Sequence, residues 1–455
     1  MALSETIAAH IAGFAPEHLP EASSHATRRA LLDALGVMLA ASGLSDEARP
    51  FRTLAATEAG AGPARLLGGD LRVPVQSAAF ANGALAHALD FGDTYDAGPA
   101  HPGAALVPAL LALCDAHPSI DRRRLISAMA LGSDLTCRLS HTPREPMERR
   151  GWYPPPLIGT LGAAAGCAHL LGLTARQTAD AIGLAWCQVT FPAAIKYDAT
   201  SHVRAIREAF AARAAVSGAL LARGGVRGFA APLEGAGGFF AVHVGDYEDT
   251  PLREDLGRIF YGDRVSFKPW PSCRGTHAYI QAGLTLRQRF AIDPEAIASI
   301  EVIIGPVQEM LVAPRATKVA PLTAIDAKFS IPFTLASALV HGAVDLDSFA
   351  PAARADPAVL ALAAKIVPQR HPDWTRAHAA AGGVVLTMTD GRRHEMMVDQ
   401  ARGDPGQPMS DDDLIAKFVA CAARAELPLG AEAANAFASR ILTGDLDASA
   451  TTLLD

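Results

Sequence analysis

The chain has 455 residues, half of them hydrophobic, 19% charged and 6% aromatic, with a formal net charge of −7. That length allows two or three domains, each with a core of its own. An acidic balance without a block of basic residues argues against nucleic acid and anionic membrane as partners. The first residues read as an amphipathic helix through Ile7, Ile11 and Phe14, not as a secretory leader. No stretch stays apolar for the roughly twenty residues that a bilayer span needs. Cys114, Cys137, Cys167, Cys187, Cys273 and Cys421 are scattered, with no CxxC among them. Such thiols fit a reducing compartment, so a cytoplasmic location is expected, and they lack the spacing of a zinc ribbon or an iron–sulfur site.

Taken in order, the chain is helical from Glu5 to about Asp263. Residues 27–41, 78–89, 102–116, 122–139, 157–171, 174–186 and 203–223 repeat apolar residues at three- and four-residue spacing. Thr174 with Gln177 makes a capping box at one start. Residues 159–173 are apolar nearly all round, a pattern that other helices must enclose. The character changes near Lys268. Helices are predicted over 276–290 and 331–340, a strand over 299–304, and a hairpin from 384–389 and 394–398 around Asp390-Gly391. Residues 410–425 and 431–442 return to a helical pattern. The fold class expected is mainly α: a large all-helical domain from 1–266 and 400–455, with a smaller α+β domain inserted at 267–399.

Polar clusters interrupt this pattern. His87, Asp90, Asp93, Thr94, Asp96 and His101 fall within fifteen residues. A helix ending near Leu89 sets His87 and Asp90 one turn apart, and a glycine-containing loop can fold His101 back over them. Imidazole beside carboxylate suits general acid–base work, since each tunes the other's proton affinity. A capped, solvated helix end and a Zn or Mn site are the rival readings of the same residues, the latter without a recognised ligand spacing. A second cluster holds Lys268, Cys273, Arg274 and His277, with Pro269 and Pro271 stiffening the backbone. Arg274 and His277 share the start of the next helix, a place that favours anions; a rigid linker with solvated charges is the alternative. Arg204 and Arg207 share a helix face suited to a polyanion, or else form an ordinary surface pair. Tyr153 follows Arg149-Arg150-Gly151-Trp152 in a stiff loop, either moving a proton or simply packing.

In sequence order these stretches resemble the MmgE/PrpD family, whose members include dehydratases, decarboxylases and epimerases of small carboxylic acids. The matching segments are His87 to Asp90 with Asp93-Thr94 and His101-Pro102, then Gly159-Thr-Leu-Gly-Ala-Ala-Ala and residues 211–218. Leu233-Glu-Gly-Ala-Gly-Gly-Phe, residues 267–277 and Asp326-Ala-Lys-Phe-Ser-Ile-Pro follow, so the resemblance spans about residues 5–445. It implies a site in a cleft between the two domains, a homodimer, and no metal or organic cofactor. It also places Asp90, Thr94, His101 and Lys268 on active-site positions.

Three positions depart from the family pattern. Tyr153 stands where members commonly have His, Val203-Arg204 replaces a Thr-Lys pair, and Cys273 occupies a His position of the decarboxylating members. Arg204 keeps the positive charge but does not shed a proton near neutrality. The activity expected is removal of a proton beside a carboxylate of a small polycarboxylate, followed by loss of water. His101 is the expected acid or base, oriented by Asp90 or Asp93, with Tyr153 as a second proton carrier. Lys268, Arg204 and Arg274 form the expected charge clamp, with Thr94 and His277 also contacting substrate. Epimerisation at an α-carbon is the second expectation, and an inactive carboxylate-binding protein the third.

Overall fold

The computed structural model describes residues 2–198 and 201–454. They form two compact units, one of residues 1–265 with 410–455 and the other of residues 266–409. The larger unit is built from α1 (Leu3–Gly13), α2 (Glu21–Leu44), α3 (Val75–Ala86), α4 (Pro102–Ala116), α5 (Arg122–Ser140) and α6 (Pro154–Leu170). It continues with α7 (Ala175–Trp186) and α8 (Glu208–Arg223) before the smaller unit begins. Every residue of α6 is buried, as its apolar character on all faces requires. Its glycines let neighbouring backbones approach. A Cβ at Gly166 would lie 2.9 Å from the Ala128 carbonyl of α5, and one at Gly132 of α5 would lie 2.8 Å from the Gly162 carbonyl. The capping box at Thr174 and Gln177 forms as read. The unit is not all-helical: Ala64–Arg65 and Arg72–Val73 pair antiparallel, with Gly68 at φ 81° in the connection.

The smaller unit pairs α9 (His277–Phe290) and α10 (Ile331–His341) with a four-stranded sheet. Its strands are β1 (Ile297–Ile304), β2 (Ile366–Arg370), β3 (Gly382–Met388) and β4 (Arg393–Val398), in the order β2-β1-β3-β4. β1 runs parallel to β2 and antiparallel to β3, and β3–β4 is the predicted hairpin, with Gly391 at φ 87° in its turn. Ile297, Ile300, Val302 and Ile304 of β1 meet Val384 and Leu386 of β3 in a core shared with Phe333 and Leu335 of α10. Sequence patterning misses β2, where only Ile366 is buried and Pro368 interrupts the run. An edge strand tolerates both.

The chain then re-enters the larger unit through α11 (Asp411–Ala422) and α12 (Ala431–Thr443), both packed on α2. Lys417 of α11 anchors this return. Its ammonium lies 2.6 Å from Asp33 Oδ1 and 2.7 Å from the Phe91 carbonyl. Among the described residues no helix is long and apolar enough to cross a membrane.

Candidate active site

The larger unit gathers its polar residues where helices start. A Cβ at Gly159, early in α6, would lie 3.9 Å from Ala105, early in α4, so these two helices begin side by side. A Cβ at Gly83, near the end of α3, would lie 2.9 Å from Ala209 at the start of α8. The residues capping α4, α6 and α8 are His101, Tyr153 and Arg207. None of the three caps its own helix with a side-chain hydrogen bond, so each side chain is left for other partners. Three positive helix ends thus meet at one place.

Helix α3 stops at Ala86, short of the Leu89 expected, with His87 as its C-cap. A turn follows in which Asp90 takes φ 50°, a left-handed conformation that Asp tolerates better than most residues. This turn, not a helical repeat, sets His87 Nε2 3.1 Å from Asp90 Oδ1, and both side chains are buried. The loop then folds back as expected: Tyr95 bridges to Ala100, and the His101 ring lies with its centroid 4.4 Å from that of His87. Thr94 is buried in the same loop.

Asp93 has two tasks. Its carboxylate accepts the Gly103 N–H at 3.0 Å, closing the first turn of α4 beside Pro102. Its backbone carbonyl lies 2.8 Å from His101 Nδ1. A carbonyl only accepts, so Nδ1 carries the hydrogen and Nε2 of the neutral ring carries the lone pair. His101 is therefore oriented by the Asp93 main chain, while Asp90 is engaged with His87.

Tyr153 is buried, its N–H donated to the Phe191 carbonyl at 2.8 Å. Two cations flank its ring: Arg207 Cζ lies 5.2 Å and Lys196 Nζ 5.7 Å from the centroid. Lys196 also pairs with Glu148 at 2.8 Å. Arg204 sits half-buried in the short helix Val203–Ile206, and its carbonyl accepts from Arg207 Nη1. Arg207 is 1% exposed, with Nε 3.2 Å from Glu208 Oε1 but off the hydrogen-bonding direction. Burial pushes the Glu208 carboxyl above its usual range, and Arg207 opposes that shift. Spacing alone does not separate Arg204 from Arg207, which continue the same face as Ala211, Ala214 and Gly218; burial does, since Arg207 is buried with those three and Arg204 is half-buried.

In the smaller unit Lys268 is 1% exposed. The backbone beside it is held by a hydrogen bond from Phe267 N–H to the Gly403 carbonyl at 3.1 Å. Arg274 is held by backbone carbonyls of its own unit. It donates to the carbonyls of Ala401 at 3.1 Å and Arg402 at 3.0 Å, and approaches Asp404 at 3.9 Å. His277 is fully buried, with Nε2 3.2 Å from the Ser272 carbonyl and its ring against Trp270. Half-buried Cys273 donates its N–H to the Lys328 carbonyl at 3.0 Å. Among the described residues no group of three or more His, Cys, Asp or Glu side chains is placed to hold a metal ion.

Comparison with known proteins covers both units. The MmgE/PrpD N-terminal domain matches residues 5–251, and the MmgE/PrpD C-terminal domain matches residues 270–435. Cis-aconitate decarboxylase of Mus musculus is 26% identical over 435 residues, 93% of this chain and 87% of its own length. The cis-aconitate decarboxylase-like protein oryM of Aspergillus oryzae is 28% identical over 375 residues, covering 78% of this chain and 77% of its own. Cis-aconitate decarboxylase of Homo sapiens is 27% identical over 368 residues, covering 78% and 74%.

Proposed function

The chain belongs to the MmgE/PrpD family, and on that premise we propose that it is a dehydratase-type lyase acting on a small hydroxy-polycarboxylate. The observation that carries this reading is the hydrogen bond between His101 Nδ1 and the Asp93 carbonyl. It fixes the tautomer, so the basic nitrogen is Nε2 and the ring cannot turn without losing that bond.

In the proposed reaction His101 Nε2 takes the proton on the carbon next to a carboxylate. The electron pair left behind forms the carbon–carbon double bond as the carbon–oxygen bond to the hydroxyl breaks. Tyr153 hands its proton to the departing hydroxide, which leaves as water. Charge accumulates on the carboxylate during proton removal, and the convergent helix starts oppose it. Buried positive groups act strongly here because little solvent screens them. The named relatives favour a second reading, decarboxylation, in which a carbon–carbon bond breaks and carbon dioxide leaves. Cys273, standing where the decarboxylating members have His, favours dehydration over that route.

Proton NMR in D2O with a panel of citrate-like, aconitate-like and aspartate-like acids tests the proposal. A new vinylic signal from a hydroxy acid is the expected result. Deuterium exchange without net change would reassign the chain to epimerisation, release of carbon dioxide would reassign it to decarboxylation, and no change with any acid would leave a binder only.

A further inference from the structure

A buried guanidinium needs acceptors, and among the described residues Arg207 meets few. At 1% exposure it donates only through Nη1, to the Arg204 carbonyl of its own helical segment. Neither Nε nor Nη2 has a hydrogen-bond acceptor among the described residues, and the facing Glu208 Oε1 has no donor either. Leaving such groups unmatched is costly, and more so when they are charged. Buried polar groups therefore usually find partners, and unmatched ones call for an explanation. Arg207 caps α8 where α4 and α6 also begin, and it lies over the ring of Tyr153. Phe191, whose carbonyl holds Tyr153, and Val203 and Phe210, on either side of Arg207 in sequence, line a cavity of about 430 Å³, behind whose wall Arg207 and Tyr153 lie without lining it themselves. That is room for a ligand of several carbons.

We propose that Arg207 binds a carboxylate of the substrate, its open Nε and Nη2 edge meeting two carboxylate oxygens beside Tyr153. The inference rests on the polycarboxylate reading above and makes it specific: one carboxylate is held in the larger unit by Arg207. One objection has a physical answer. Glu208 balances the charge of Arg207, yet it fills neither donor, so a forked anion gains hydrogen bonds that the pair lacks. Asp198 is the one carboxylate among the described cavity-lining residues.

The test is calorimetric titration of the full chain with tricarballylate, a saturated tricarboxylate that cannot react, and with succinate. Arg207→Lys keeps the charge but not the fork, and it should weaken binding by roughly tenfold or more. The paired variant Arg207→Met with Glu208→Gln removes both buried charges together, a change that often leaves stability intact. Its melting transition, followed by circular dichroism, shows whether the fold survives. If Arg207 recognises the ligand, the paired variant is folded and binds as weakly as Arg207→Lys or more so. If Arg207 merely holds Glu208, the paired variant binds as wild type does, and the proposal is overturned. Wild-type affinity in Arg207→Lys overturns it equally. A wild-type chain that binds neither acid instead removes the polycarboxylate reading itself.

Discussion

Arg138 and Arg207 are both 1% exposed, and each lies beside a carboxylate of its own segment. Arg138 is saturated. It donates to Asp134 at 2.7 Å and to the carbonyls of Pro251 at 2.5 Å, Glu254 at 2.8 Å and Ile259 at 2.5 Å, and covers the Tyr261 ring. Arg207 meets one backbone carbonyl and an off-axis carboxylate. Equal burial therefore hides opposite roles. Where fixed acceptors satisfy every face of the guanidinium, the charge ties chain segments together. Where they do not, the shortfall marks a place for an outside partner.

The comparison is broken first at its scaffold end. Arg138→Met strands Asp134 and the carbonyls of residues 251–259, and a loss of about 3–5 kcal/mol in unfolding free energy is expected. Chemical denaturation measures it; a loss below about 1 kcal/mol would mean that saturation does not identify a strut.

The same contrast holds for two histidines. Both nitrogens of His169 are held inside the helical core, Nδ1 at 2.9 Å from the Ile11 carbonyl and Nε2 at 2.9 Å from Ser127 Oγ. His101 has its Nδ1 held in the same way but caps a helix start among the site residues. His101→Gln should lower turnover about 10²–10⁴-fold at nearly unchanged stability. Steady-state kinetics of this variant reassigns the proton transfer if the loss is under about tenfold.

pH sharpens the contrast at somewhat smaller scale. Burial pushes His169, His10 and His243 down to about 4, with Arg124, Arg138 and Arg150 respectively adding to the shift. These folded-state values lie below the unfolded one. Their stabilising effect is thus complete above about pH 6.5 and is lost as pH falls towards 4, with His169 contributing about 3 kcal/mol. Asp134, pushed up to about 6 by burial against the pull of Arg138, works in the opposite direction over the same range. Melting temperature should still fall between pH 6.5 and 4, and His169→Gln should flatten that fall. The smallest effect is expected at Arg274. Replacing it with Lys substitutes one ammonium for the two guanidinium prongs that reach the Ala401 and Arg402 carbonyls, at a cost of about 1–2 kcal/mol, read by denaturation.

Much of this was legible in the sequence because helices announce themselves through repeated local spacing. The predicted bounds 102–116 match the helix to the residue, and the hairpin is legible in two strand-like runs joined by Asp390-Gly391. Strand β2 was not legible, since its single buried residue gives no alternation. The pairing of His87 with Asp90 was readable, but its cause was not. A helical repeat was expected, and a left-handed turn at Asp90 supplies it. Nor does sequence show which atom of Asp93 faces His101, because a main-chain carbonyl carries no side-chain signature. Arg274 shows the limit most clearly. Its place at a helix start suggests an anion site, while its bonds to the carbonyls of Ala401 and Arg402 carry no signature in the sequence.

The Lys417 anchor also sets a schedule for synthesis. Its partners, Asp33 and Phe91, leave the ribosome more than three hundred residues before it does. Phe91 directly follows Asp90, so the loop that orders the two histidines stays without this tether while the whole smaller unit is translated. The larger unit must therefore wait, half-packed, with the face that α11 will cover turned to water. A nascent chain paused at the junction near residue 409 should be open to protease around Phe91, and chaperone demand should peak there. Catalytic competence, on this view, arrives late in translation and all at once, when α11 docks.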